Sequence, residues 1–182
     1  MESIQTVRYT VEAKDTYTRG HSDRVSEYSV LIGQKLGLSE DDIRRLRIGG
    51  LFHDVGKIVL HTTNPKMYDR VISAVNDGND VLDVERKYFD SDHVKTGSLL
   101  AKRWQLPILL ANIVSYHHAP SLSSIPVPCN LVCVVDKLMQ DRFDPGALDK
   151  DFLKTMGIDM EDVEDLRNAI MQKSELLIAE LT

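Results

Sequence analysis

The chain has 182 residues, 42% hydrophobic and 27% charged, with a formal net charge of −6. A chain of this length buries roughly 70% of the surface that its unfolded form exposes, so it needs no disulfide staple. The acidic balance and the lack of a Lys/Arg-rich run exclude general affinity for duplex nucleic acid. The N-terminus carries no apolar leader and no window approaches membrane-spanning length, so the expectation is one cytoplasmic domain over 1–182 with no membrane partner.

Taken in chain order, the hydrophobic spacing is helical nearly throughout and no strand-like alternation of useful length occurs. Residues 1–14 read as a helix of thin apolar content. "HSDRVSEYSVLIGQKLG" carries Val25, Tyr28, Ile32 and Leu36 at helical spacing, with Gly37 placed to end it. "LSEDDIRRLRIGGLFHD" begins with Ser39 as N-cap and acidic residues in the first turn, and Ile43, Leu46, Gly50 and Leu51 mark its buried face. Asn64 before Pro65 opens a helix that closes at Asn76 to Gly78. "DSDHVKTGSLLAKRWQ" and "LPILLANIVSYHH" are two further helices, the second so apolar that it belongs at the centre. "APSLSSIPVP" (119–128) is a loop, "CNLVCVVDKLMQD" a buried helix, and "DPG" at 144–146 a turn. A long closing helix places Val163, Leu166, Ile170 and Leu177 on one stripe, and 141–158 is the least defined stretch. The fold class is therefore all-α, a compact helical bundle. Cys129 and Cys133, one turn apart, read as two small core residues rather than as a metal or redox pair.

The histidines do not fall on polar faces. There are six, and His53 sits in "LFHDVGKI" near the end of a buried helix, while His117 and His118 close the most apolar one. Asp136 lies inside "LVCVVDKL", where a lone carboxylate is costly. Each has an ordinary reading by itself: a hydrogen-bonded core histidine, an ion-pair partner for an arginine, a helix C-cap favoured by the dipole. Together they suggest a metal centre, since imidazole with carboxylate suits zinc, iron, manganese, nickel or cobalt. Five imidazoles and two carboxylates exceed what one ion takes and suit two ions sharing a carboxylate.

The sequence resembles the HD superfamily of metal-dependent phosphohydrolases from about residue 9 to 140, with the C-terminal helices of 141–182 beyond it. "VEAKDTYTRGHSDRVSEYSVLIGQKLGLSEDDIRRLRIGGLFHDVGKI" is similar to the start of HD-GYP domains, the cyclic-di-GMP phosphodiesterases of bacterial signalling. "FDSDHVKTGSLLAKRWQLPILLANIVSYHHAP" resembles HDOD domains instead, a related signalling group in which the metal ligands are usually lost. The histidine doublet is followed by "APSLSSIPVPCN" with no Gly-Tyr-Pro, yet the ligand set is kept.

The resemblance implies a central dimetal site. His21, His53 and Asp136 would hold a first ion, His93, His117 and His118 a second, and Asp54 would bridge. Lys57 would point at the phosphate, and Arg24, one turn from His21, is a second candidate for it. Asp23 and Asp92 would orient ligand histidines, and His61 would be a surface residue; Tyr17 and Tyr116 could stack a base, but core or rim packing is the preferred reading of both. Two divalent ions, iron or manganese favoured over zinc, nickel or cobalt, would lower the pKa of a water and neutralise phosphoryl oxygens. The implied function is a phosphodiesterase on a cyclic dinucleotide or related nucleotide. The alternative is a non-catalytic HDOD-like signalling or binding module. A homodimer, or fusion to an upstream sensory domain, fits either.

Overall fold

The computed structural model describes residues 20–140 and 143–180, with side chains through 172. Among the described residues every regular element is helical. The helices are α1 (His21–Lys35), α2 (Glu40–Phe52), α3 (Val55–Thr63), α4 (Pro65–Asn76), α5 (Val81–Phe89), α6 (His93–Arg103), α7 (Ile108–Tyr116), α8 (Pro126–Leu138), α9 (Lys150–Thr155) and α10 (Val163–Glu180). Short 3-10 turns lie at Pro120–Leu122, Pro145–Ala147 and Met160–Asp162. No described helix is long and apolar enough to cross a membrane.

The helix ends follow local chemistry. Gly37 adopts φ +71° after α1, and the Leu38 amide donates back to the Gly33 carbonyl at 3.1 Å, satisfying a carbonyl that the helix leaves open. Ser39 accepts from the Asp42 amide at the start of α2, Asn64 from Met67 at α4, and Asp92 from Lys95 at α6.

Two apolar clusters hold the helices together. The larger one joins Val25 of α1, Leu46 of α2, Ile113 of α7 and Leu131, Val135 and Leu138 of α8 to Leu153, Val163 and Ile170 of the C-terminal segment. Each such side chain contributes about 1.5–3 kcal/mol by leaving water. The Tyr28 hydroxyl donates to the Ile170 carbonyl at 3.0 Å, tying α10 to α1. The smaller cluster is Leu60 of α3, Tyr68 and Val71 of α4 and Val84 of α5. Between the clusters α3 lies against α6, and α6 against α7.

Some expectations change. Residues 55–63 and 81–89, given no element from sequence, are α3 and α5. The loop expected over 119–128 is shorter, because α8 already begins at Pro126, a residue suited to a first helical turn. His61 is not a surface residue: it is 6% exposed, edge-on to the Tyr68 ring at 5.8 Å. Cys129 and Cys133 are buried, as expected of core residues. The expected helix over 1–14, Tyr17 and the side chain of Leu177 lie outside the described residues.

Candidate metal centre

The seven candidate ligands sit at or near helix ends that converge. His21 opens α1 and His93 opens α6. His53 caps the end of α2 and Asp54 the start of α3, so two adjacent residues serve two helices. His117 caps α7, His118 follows it, and Asp136 lies in the last turn of α8. Two glycines permit the approach. The backbone of Gly50 passes so close to α1 that a Cβ there would lie 2.6 Å from Ser26 Cα. A Cβ on Gly56 would overlap the His93 carbonyl oxygen, so only glycine lets α3 bring Asp54 against α6.

The donor atoms fall into two groups. His21, His53 and Asp136 offer atoms all within 4.8 Å of one another, as do Asp54, His93, His117 and His118. His21 Nε2 lies 2.9 Å from Asp136 Oδ1, and His53 Nε2 3.8 Å from the same oxygen. Asp54 stands between the groups: Oδ2 is 3.3 Å from His53 Nε2, while Oδ1 is 3.3 Å from His93 Nε2 and 3.6 Å from His117 Nε2. His93 and His118 face each other, Nε2 to Nε2, at 3.1 Å. Lys57, one helical turn after Asp54, places Nζ 2.7 Å from Asp54 Oδ2.

Three of the imidazoles are held alike. His53 Nδ1 is 2.7 Å from the Gly50 carbonyl. His117 Nδ1 is 3.2 Å from the carbonyls of Ile113 and Val114. His93 Nδ1 is 2.7 Å from Glu85 Oε2, which also accepts the His93 backbone N–H at 2.7 Å. Carbonyls only accept, so Nδ1 carries the proton in His53 and His117, and an ionised Glu85 assigns it likewise in His93. That leaves Nε2 of all three as the lone-pair side, aimed at the Asp54 carboxylate.

Lone pairs facing a buried carboxylate call for a cation or a proton between them. Among the described residues, His53 Nε2, His117 Nε2 and Asp54 Oδ1 are buried without a hydrogen-bond partner. The donor set, imidazole nitrogens around carboxylate oxygens in two groups, therefore fits divalent metal ions. With protons alone the charges redistribute. Burial lowers the pKa of His53, but the Asp54 and Asp136 carboxylates outweigh it and raise that pKa to about 10. Burial and the neighbouring His117 and His93 push His118 down to about 2. Burial works against ionisation of Asp54 and Asp136, yet His53 and Lys57 beside Asp54, and His21 and His53 beside Asp136, hold both carboxyls well below the usual range.

The supporting residues differ in part from expectation. Asp92 does not hold the His93 ring; its carboxylate takes the Lys95 amide and Arg86 Nε, each at 2.7 Å. Glu85, which the sequence reading passed over, does that work. It is fully buried, its pKa raised to about 7 by that burial, and the Tyr68 hydroxyl donates to its Oε1 at 3.3 Å. Asp23 is exposed on α1 and lines a shallow groove between α1 and α2 with Glu27 and Arg47. Arg24 is half-buried, its guanidinium alongside Gly20. Tyr116 packs at the margin of the main core.

Known proteins with similar features cover parts of the chain. The HDOD domain family matches residues 3–120, a span that contains six of the seven candidate ligands and stops short of Asp136. A 48-residue stretch is 48% identical to the 3′3′-cGAMP-specific phosphodiesterase 3 of Vibrio cholerae serotype O1, covering 26% of this chain and 10% of that protein. A 59-residue stretch is 30% identical to the cyclic di-GMP phosphodiesterase response regulator RpfG of Xanthomonas campestris pv. campestris, covering 32% of this chain and 16% of that protein. The chain thus spans only a small fraction of the length of the curated relatives it matches.

Among solved structures, a candidate phosphohydrolase from Shewanella amazonensis SB2B superposes with a TM-score of 0.61 at 17% identity, over 83% of this chain and 58% of the other. An HDOD domain protein of unknown function from Geobacter sulfurreducens gives 0.60 at 19% identity, over 83% and 60%. These two likenesses establish the all-helical fold.

Proposed function

The chain belongs to the HDOD domain family, and from that premise we propose that it is a metal-dependent phosphohydrolase of the HD superfamily. It acts as a phosphodiesterase on a cyclic dinucleotide or a related nucleotide. The observation that carries this reading is the convergence of seven donors on two adjacent groups with Asp54 between them. The local likeness to two cyclic-dinucleotide phosphodiesterases supports the substrate class and an HD-GYP-like front half. Packing of Val163 and Ile170 into the main core supports treating 1–182 as one unit.

In this reading His21, His53 and Asp136 hold one divalent ion, His93, His117 and His118 the other, and Asp54 serves both, with iron or manganese favoured. When bound, such a pair supplies Lewis acidity and a nucleophile at neutral pH. The chain's own residues do the rest. The Nδ1 anchors hold three rings in one orientation, so that no reorganisation is required as charge develops on the phosphoryl group. The side chain of Lys57 is 24% exposed against 13% for Asp54 and 11% for Asp136, so among these three charged groups it is the one nearest to solvent. With Asp54 holding such ions, Lys57 would be free to meet a phosphoryl oxygen as a point charge.

One observation favours the second reading, a non-catalytic binding module. The Lys57 ammonium on Asp54 Oδ2 already compensates that carboxylate without an ion. Metal analysis of the purified protein, with hydrolysis assays on cyclic-di-GMP and 3′3′-cGAMP in added Mn²⁺ or Fe²⁺, separates the two. Two equivalents with turnover are expected. Two equivalents without turnover on either nucleotide transfer the activity to another phosphate ester, and no metal at all leaves the binding module.

A further inference from the structure

Three ligand rings carry their proton on Nδ1, but the acceptors that keep it there are of two kinds. For His53 and His117 the acceptors are backbone carbonyls three or four residues earlier, those of Gly50, Ile113 and Val114. Those anchors are internal to α2 and α7 and follow wherever the helix goes. For His93 the acceptor is a side chain on a different helix, Glu85 of α5. His93 opens α6, where a ring has no preceding helical carbonyl to use. Its orientation must therefore come from outside its own helix.

Glu85 is itself fixed from both sides. One oxygen receives the two donors of His93, and the other receives the Tyr68 hydroxyl from α4. Tyr68 and Val84, the neighbour of Glu85, belong to the small apolar cluster that closes α4 on α5. The Phe89 ring lies 6.2 Å from Tyr68 on one side and His61 packs edge-on at 5.8 Å on the other. A continuous chain of contacts thus runs from the α4–α5 hairpin through Tyr68 and Glu85 to His93.

We infer that Glu85 is a positioning residue for the second ion: it keeps His93 as the Nδ1–H tautomer with Nε2 turned to Asp54 and His118, and it makes that half of the centre depend on the α4–α5 hairpin. The first half, His21, His53 and Asp136, is carried instead by α1, the end of α2 and α8. The inference rests on the reading of this site as a dimetal centre. Carboxylate partners of ligating histidines fix ring orientation and raise ligand basicity, and their loss typically lowers metal affinity about 10–100-fold.

The test uses the full chain labelled with ¹⁵N-histidine. Two-bond ¹H–¹⁵N spectra of the metal-free protein read the tautomer of His93, and Zn²⁺ calorimetry reads the two affinities. Glu85→Met fills the same volume with no acceptor. It is expected to shift His93 away from the Nδ1–H signature and to weaken the second Zn²⁺ equivalent about 10–100-fold while leaving the first unchanged. Glu85→Gln retains an acceptor oxygen and is expected to restore the signature and most of the affinity. An unaltered His93 signature in Glu85→Met, or an equal loss of both equivalents, overturns the inference. If Glu85→Met does not fold, Tyr68→Phe probes the same path from its far end: a fall of a few-fold confined to the second equivalent supports the inference, and no change in either equivalent overturns it. A wild-type chain that takes no Zn²⁺ sinks the metal-centre reading, and the His93 signature still decides the role of Glu85.

Discussion

The two candidate ligand groups lie side by side yet are built by different parts of the molecule. His21, His53 and Asp136 come from α1, α2 and α8, helices that share the main core with Val25, Leu46, Val135 and Leu138. That core extends on to α7 and to the C-terminal Val163 and Ile170. His93 comes from α6, and its ring is held by Glu85 from a hairpin whose small apolar cluster, shared with Leu60 of α3, has four buried members. The first group is thus fastened to the largest body of buried surface. The second hangs partly on a small satellite cluster. Elements with less buried apolar contact open at lower free energy, so the second group is the half whose geometry is most easily changed, by mutation or by a partner on α4–α5.

The broadest break in this comparison removes what the groups share. Asp54→Ala is expected to strip both ions and reduce hydrolysis to background while helix content by circular dichroism stays near that of the parent. Retention of either metal equivalent in that variant would show that Asp54 does not serve both. Next come changes confined to one side. His21→Ala is expected to leave one equivalent in the Asp54 group, and His118→Ala one in the Asp136 group, read by metal analysis after dialysis. Loss of both ions in each variant would mean that the groups fill only as a unit.

Smaller effects act through the backbone. Gly56→Ala forces a methyl into the His93 carbonyl, and overpacking at such a site costs about 1–3 kcal/mol or more. Its urea midpoint should fall, and its second ion should weaken because α3 and α6 are pushed apart. The two N-caps Asp92 and Ser39 form a matched pair, each worth about 1 kcal/mol when replaced by Ala. Denaturation should register both losses alike, but only Asp92→Ala, at the helix that starts with His93, should also lower the affinity for the second ion. The smallest effect is expected at the thiols. Burial raises the pKa of Cys133 to about 11, and Cys129 is raised by burial too, so neither should react with a thiol reagent in the folded protein at pH 8. Rapid labelling would place one of them outside the core.

Much of this architecture could be read along the chain because its signals are local. Ser39, Asn64 with Pro65, and Gly37 mark helix ends through hydrogen bonds and dihedral angles that involve only near neighbours. The apolar spacing of α1, α2, α7 and α8 shows which faces leave water. The helices passed over were those with weak or crowded signals. Residues 55–63 follow α2 after only two residues, so the boundary is a change of direction and not of composition. Residues 81–89 form nine residues of mixed charge whose buried positions include the acid Glu85.

The candidate ligands were legible for another reason. Imidazoles and carboxylates in apolar runs carry a desolvation cost that begs for a cation, whatever the fold. Their partners were not legible. Glu85 differs in no local way from the other acids of the chain, and eight positions separate it from His93. His61 lies in the last turn of a short helix, and the Tyr68 ring that packs edge-on against it comes from the next helix.

By itself, then, the sequence determined the helices with clear caps and faces, together with the set of polar groups that had to be compensated if buried, because both depend on the chemistry of a residue and its near neighbours. Only the tertiary structure decided how seven donors divide into two groups around Asp54, that Lys57 rests on that carboxylate, and that Glu85 steadies His93. Those outcomes depend on how closely helices far apart in the chain can approach, which is set by contacts such as Gly56 against α6 that no single segment encodes.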